Sequence, residues 1–281
     1  LFIPKNADGT ETEPVDLLSL SPEEMLKIRG GRIAIVFQDP ATYPNPVFRI
    51  GNQIAEVIQL HQDLSRDVIE MKIEELQKSL NEDIEDEREF QIKDKIKYYE
   101  SMLDDPPEPD KKDAEKAAKR RAVDMLKLVK MPAPEQVVDQ YPHELSGGMR
   151  QRALIAMALA CNPSILIADE ATTALDVTVQ AQVLHLLNEL KKEIGTSIVI
   201  ITHDMGVVAE TCNWTNVMYA GTTVETCETK TLFKNPLHPY TAGLLIAVPK
   251  LHEEKERLPQ ILGSVPNLIT PPSGCRFHPR C

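Results

Sequence analysis

The sequence predicts an α/β fold with a parallel sheet, and three stretches predict it. Residues 165–168 (Ile-Leu-Ile-Ala) are a short apolar run that ends in Asp169 and Glu170. Residues 197–202 are a second apolar run, and a helical stretch over 177–194 separates the two. Strand, helix, strand in that order argues for parallel strands joined by a crossover. Both runs read as buried strands, because a parallel strand covered on its two faces is apolar throughout. The third stretch is Ser146-Gly147-Gly148, which opens a helix over 149–160. Serine is a favourable N-cap, and two glycines leave the first N–H groups of the helix uncovered, an arrangement suited to phosphate.

The other elements follow in order. Asp8-Gly9 reads as a hairpin-type turn. Ser21-Pro22-Glu23-Glu24 supplies an N-cap, a proline in the first turn and acids beside it, so a short helix runs to about Ile28. Gly30-Gly31 breaks it. Residues 32–37 form a buried strand that ends at Gln38-Asp39-Pro40, where proline cannot continue it. Residues 50–61 are an amphipathic helix. From 64 to 104 the chain is very polar, with Ile69, Ile73, Leu76 and Leu80, then Ile92, Ile96, Tyr99 and Leu103, at one-face helical spacing. The acid-rich stretch 81–89 fits either a bend or a continuous solvated helix, and a helical hairpin is the preferred reading. Three prolines make 104–110 a linker. Residues 114–129 are helical and stop at Pro132 and Pro134. Helix 177–194 ends at Gly195. A short helix over 205–211 precedes an antiparallel pair, 216–219 and 222–225, around Ala220-Gly221. Beyond Pro236 the chain is proline-rich, with a helix near 240–247.

Composition narrows the function classes. The 281 residues are 42% hydrophobic and 26% charged, as in a globular chain able to hold one large domain or two smaller ones. A net charge of -12 argues against a nucleic-acid partner. Apolar runs fall far short of the roughly 20 residues that span a bilayer, and no signal peptide is legible. Five cysteines, an odd number in a long chain, favour a reducing compartment over a disulfide scaffold. The sequence starts at Leu1 and stops at Cys281 inside a cysteine-bearing motif, so both ends are expected to be cut.

The chemistry gathers at strand ends. Two carboxylates at the carboxyl edge of a parallel sheet lie where ligands bind in such folds. Asp169 and Glu170 are such a pair: in nucleotide hydrolysis one acid holds Mg²⁺, and the other polarises or orients the attacking water. Acids complementing a helix dipole are the plainer alternative. His203 follows the next strand, where an imidazole can donate to a γ-phosphate. Gln38, after its own strand, can reach Mg²⁺ and the water with its carbonyl oxygen. Asp176 reads as a helix N-cap, an interface contact, or both.

These motifs in this order resemble the ATP-binding subunits of ABC transporters. Residues 145–152 are similar to the ABC signature, 165–170 to the Walker B strand and catalytic acid, Ala174-Leu175-Asp176 to the D-loop, His203 to the switch histidine and 37–40 to the Q-loop. Tyr141-Pro142-His143-Glu144, Ile201-Thr202-His203-Asp204, Met218-Tyr219-Ala220-Gly221, His238-Pro239-Tyr240-Thr241 and the tail from Gly274 to Cys281 resemble the oligopeptide, dipeptide or nickel importer branch. The resemblance covers nearly all of the chain except about 64–113, an apparent insertion. It implies a P-loop NTPase core in two parts: 1–47 with the Q-loop, and 149–234 with the two acids and His203. A helical subdomain over 48–148 lies between them, and a family-specific extension covers 235–281.

The resemblance also implies a mechanism. Two such subunits sandwich ATP and Mg²⁺; Gln38, Asp169, Glu170 and His203 act from one side. Ser146, Gly147, Gly148, Gln151 and Asp176 contribute to nucleotide binding across the dimer, which is a homodimer or a heterodimer. Two transmembrane permease subunits, and indirectly an external substrate-binding protein, complete an importer with this subunit at the cytoplasmic face of the membrane. A non-transporter ABC ATPase is an alternative. The sequence contains no G-x-x-x-x-G-K-[ST] phosphate loop. Truncation is the expected reason. A chain truly lacking the loop would only lend its signature to a partner's ATP site. Ala171 stands where proline is usual. Cys275 and Cys281 resemble part of a C-terminal set that can carry an iron–sulfur cluster; such a cluster needs four ligands, and two free thiols are the preferred reading.

Overall fold

The structure, a computed structural model, describes residues 2–3, 13–39, 42–81, 86–172, 175–248 and 259–281. Asp8-Gly9, Pro40 and Ala174 lie outside the described residues. These residues form two compact units, 1–201 and 202–281. The boundary falls directly after a strand, whereas the sequence placed one at 234/235.

In the first unit, helix α1 (Pro22–Ile28) starts as the sequence dictates: Ser21 and Glu24 form a reciprocal capping box. Strand β1 (Ile33–Val36) follows, then helix α2 (Ile50–His61). Helices α3 (Ser65–Leu80) and α4 (Asp86–Glu100) form the expected pair; Ile69, Ile73, Ile92 and Ile96 make a small core of their own. Helix α5 (Lys111–Leu128) begins three residues before the predicted start, because Asp110 accepts from the N–H groups of Lys112 and Asp113. Pro134 does not merely stop a helix: it opens the short helix α6 (Pro134–Val137). Helix α7 (Gly147–Leu159), strand β2 (Ile165–Asp169), helix α8 (Val177–Ile194) and strand β3 (Ser197–Ile201) complete the unit. Gly195 ends α8 with φ +74°, the left-handed conformation that glycine adopts without strain.

The three strands form one parallel sheet in the order β1-β2-β3, with Ile35 opposite Ile167 and Ile167 opposite Val199. One face carries Ala34, Val36, Leu166 and Ala168, which share a core with Leu154 and Ile155 of α7 and Leu186 and Leu187 of α8. The strands are therefore not buried on both faces as predicted. Ile35, Val199 and Ile201 are exposed, because the helices flanking β2 in sequence contribute to the same side.

The second unit holds helix α9 (Met205–Thr211), the antiparallel pair β4 (Trp214–Tyr219) and β5 (Thr222–Glu228), and helices α10 (Thr229–Lys234) and α11 (Pro239–Ala247). The β4–β5 turn uses Ala220 and Gly221, both at positive φ, as a two-residue hairpin of type I′ requires. Tyr219, Tyr240 and Phe277 pack ring against ring, with centroids 4.7–5.4 Å apart. Glu225 is buried beneath the start of α11. Its carboxylate accepts from the N–H groups of Leu237 and His238, each at 2.9 Å. Burial would raise this carboxyl, but the Leu237 N–H, the Thr241 side chain and His238 together outweigh it and hold it below the usual range.

Candidate active site

Pairing in the parallel sheet brings two motifs together. β1 delivers Gln38 and β2 delivers Asp169 and Glu170 to the same carboxyl edge, which is the ligand-binding edge of such sheets. There the Gln38 amide Nε2 donates to Glu170 Oε2 at 2.6 Å. With Nε2 used in this way, Gln38 Oε1 remains an acceptor. Asp169 pairs with Ile201 at the last rung of the sheet, and the Glu170 N–H donates to the Ile201 carbonyl at 2.9 Å. Glu170 then turns out of the sheet with φ +45°, a left-handed conformation that costs a non-glycine residue about 1–2 kcal/mol. Strain of this kind collects where a side chain must be aimed.

The donor set suits Mg²⁺. A hard divalent cation takes carboxylate and carbonyl oxygens, and Asp169 and Gln38 Oε1 are donors of that kind at this edge.

The start of α7 is the second feature. Ser146 caps the helix, its Oγ accepting from Met149 N at 3.4 Å. Ser146 and Gly147 are exposed, and the first N–H groups of a helix have no partner within it. Gly148 has a different reason to be glycine. A Cβ there would lie 2.8 Å from Val179 Cγ1, so the missing side chain lets α7 approach α8 closely. Asp176 is the N-cap of α8, accepting from Val179 N at 3.0 Å, and it is exposed. The close approach thus sets the start of α7 beside the start of α8.

Gln151, expected among the nucleotide-binding residues, is fully buried in α7, with neither amide atom hydrogen-bonded among the described residues. At that position it offers no surface to a ligand. The two arginines of the motif anchor it: Arg150 Nε donates to the Pro142 carbonyl and Arg152 to the Val129 carbonyl, each at 2.7 Å. Sequence reasoning assigned neither of them a role, because their partners are backbone carbonyls of distant turns.

His203 lies in the second unit, exposed on the turn between β3 and α9. The turn is clasped by Asp204, whose N–H donates to Thr202 Oγ1 and whose carboxylate caps α9 through Gly206 N at 2.8 Å. An Asp just before a helical run is a legible N-cap signal that the sequence reading passed over. Cys275 and Cys281 are both exposed. Cys275 Sγ lies 3.8 Å from His238 Nε2, and no group of three or more His, Cys, Asp or Glu side chains gathers as a metal site among the described residues.

Residues 10–173 match the family described as ABC transporter, and residues 224–281 match the oligopeptide/dipeptide transporter C-terminal region. The chain is 41% identical over 278 residues to the oligopeptide transport ATP-binding protein AppD of Bacillus subtilis, covering 99% of this chain and 70% of that protein. It is 45% identical over 267 residues to a probable peptide ABC transporter ATP-binding protein of Sinorhizobium fredii, covering 95% and 65%. It is also 43% identical over 266 residues to the oligopeptide transport ATP-binding protein OppD of Escherichia coli, covering 95% and 64%. The chain therefore spans about two thirds of the length of these relatives.

Proposed function

This chain belongs to the ABC transporter family, and from that premise we propose that it binds and hydrolyses ATP to energise import of oligopeptides or dipeptides. One observation carries the reading. Gln38 and Glu170, 132 residues apart, meet at 2.6 Å at the carboxyl edge of the sheet. In this reading they are the two side chains at the attacking water. The match of residues 224–281 to the oligopeptide/dipeptide C-terminal region supports peptides as the cargo.

Each residue then has a task. Glu170 accepts a proton from the attacking water or orients it, and its left-handed backbone aims it away from the strand. Gln38 holds that carboxylate through Nε2 and faces the cation with Oε1. Asp169 holds Mg²⁺, which when bound neutralises phosphate charge. His203 donates to the γ-phosphate. Ser146 and the N–H groups of Gly147 and Gly148 face the γ-phosphate of a second ATPase subunit, identical or different. The helix terminus finds its anion only when ATP is bound, so ATP closes the pair and hydrolysis reopens it. Asp176, at the start of the neighbouring helix, lies on the same surface.

Two permease subunits receive this motion, and a substrate-binding protein delivers the peptide to them. The ATPase sits as a peripheral subunit at the cytoplasmic face. No described helix is long and apolar enough to cross a membrane. Cys275 and Cys281 act as thiols in this reading.

The test is Glu170→Gln in the full-length protein within the assembled transporter. ATP binding is retained and turnover falls by roughly 10²- to 10⁴-fold, the range for a removed general base. Unchanged turnover overturns the assignment.

A further inference from the structure

We infer that Arg49 is a positioning residue that ties the loop after Gln38 to the turn presenting Ser146. Arg49 occupies the N-cap position of α2 but makes no side-chain cap bond there. Its guanidinium turns outward instead. It reaches Asp139 Oδ1 at 3.3 Å and lies over the Tyr141 ring, 5.7 Å from the centroid. Lys119 holds the same Asp139 oxygen at 2.6 Å. The backbone reinforces the join: Ile50 N donates to the Gln140 carbonyl and Gly51 N to the Val138 carbonyl, both at 2.9 Å. Only glycine fits at 51, where a Cβ would stand 2.2 Å from Val138 Cγ2.

The connection continues in both directions. Toward Gln38, the Gln53 amide clamps the loop: Oε1 accepts from Asn45 N at 2.9 Å, and Nε2 donates to the Asn45 and Phe48 carbonyls. Toward the signature, Tyr141 N donates to Glu144 Oε2 at 2.6 Å, which closes the turn. Arg150 Nε then pins that turn to α7 through the Pro142 carbonyl at 2.7 Å, one turn past Ser146. Bonded contacts therefore run from residue 45 to residue 150. Exposed ion pairs of this kind add little stability. What they add here is orientation, so a displacement of the loop after Gln38 carries the turn before Ser146 with it.

The inference rests on the reading that Ser146 faces a γ-phosphate. Its test uses the full-length protein in the assembled transporter, with Arg49→Ala, Tyr141→Leu, the double variant and Ser146→Arg as a control. Arg49→Ala raises the KM for ATP about 3- to 10-fold, the range for residues along a coupling network. Its kcat and melting temperature stay close to those of the parent. Tyr141→Leu, which removes the ring beneath the guanidinium, raises KM less, and the double variant matches Arg49→Ala alone. An unchanged KM in Arg49→Ala, or effects that multiply in the double variant, overturns the inference. Should Ser146→Arg leave hydrolysis intact, the functional reading itself fails. Amide exchange over 141–148 then judges the link separately: faster in Arg49→Ala supports it, and unchanged exchange overturns it.

Discussion

At the end of β2 the candidate site is made of side chains, and at the start of α7 it is made of backbone. In the proposed function Glu170 and Gln38 act through a carboxylate and an amide 2.6 Å apart, so their chemistry is specific and their surroundings are open. Ser146, Gly147 and Gly148 would act through backbone N–H groups, which every residue but proline carries. What is specific there is volume, since α7 and α8 approach within the space of one methyl group at Gly148. The first half fails when a functional group changes at constant shape. The second fails when shape changes at constant chemistry.

Glu170→Gln, an isosteric change, is the largest expected effect on the side-chain half, and it leaves stability nearly unchanged. The reverse change tests the backbone half. Gly148→Ala alters no functional group, yet its Cβ meets Val179 Cγ1 at 2.8 Å. It destabilises by about 1–3 kcal/mol, the usual penalty for overpacking, and weakens ATP-driven dimer closure. Val179→Ala in the same chain restores both, as read by thermal melting and sedimentation. Failure of that rescue would remove close packing as the reason for the glycine.

A third carboxylate sharpens the contrast, because Glu225 serves backbone rather than ligand. Its folded pKa is depressed, so its contribution is fully present above the unfolded value of about 4.3 and is lost as pH falls through the folded value. The second unit is expected to melt at constant temperature from pH 7 to about 5 and lower below about 4. Glu225→Gln lowers the neutral-pH stability by roughly 1–3 kcal/mol through an unmatched N–H donor and flattens that acid dependence. An unaltered acid limb in the variant would assign the dependence to other carboxylates.

The parallel arrangement of the strands and many of the helix boundaries were legible in the sequence, because apolar runs, caps and breakers act within a few residues. Ser21 with Glu24, Asp176 before Val177 and Gly195 after Ile194 each do locally what their residue types do. Contacts made across the fold were not legible. Nothing near Gly148 in sequence announces Val179, and nothing near Glu225 announces the N–H groups of Leu237 and His238. Apolar composition made the strands look covered on both faces, although Ile35, Val199 and Ile201 are exposed. Gln151 looked like a ligand contact because it is polar and sits in the motif, but helical periodicity turns it into the core.

Whether Ser146 serves this chain's own nucleotide or a partner's is decided most directly by dimer formation. In the full-length protein carrying Glu170→Gln, with its partner ATPase subunit present, ATP drives a stable dimer visible by sedimentation. Adding Ser146→Arg dissolves that dimer while each chain still binds ATP. A dimer that persists in the double variant, or a loss of ATP binding by the chain that carries Ser146→Arg, would contradict the partner-facing role of Ser146.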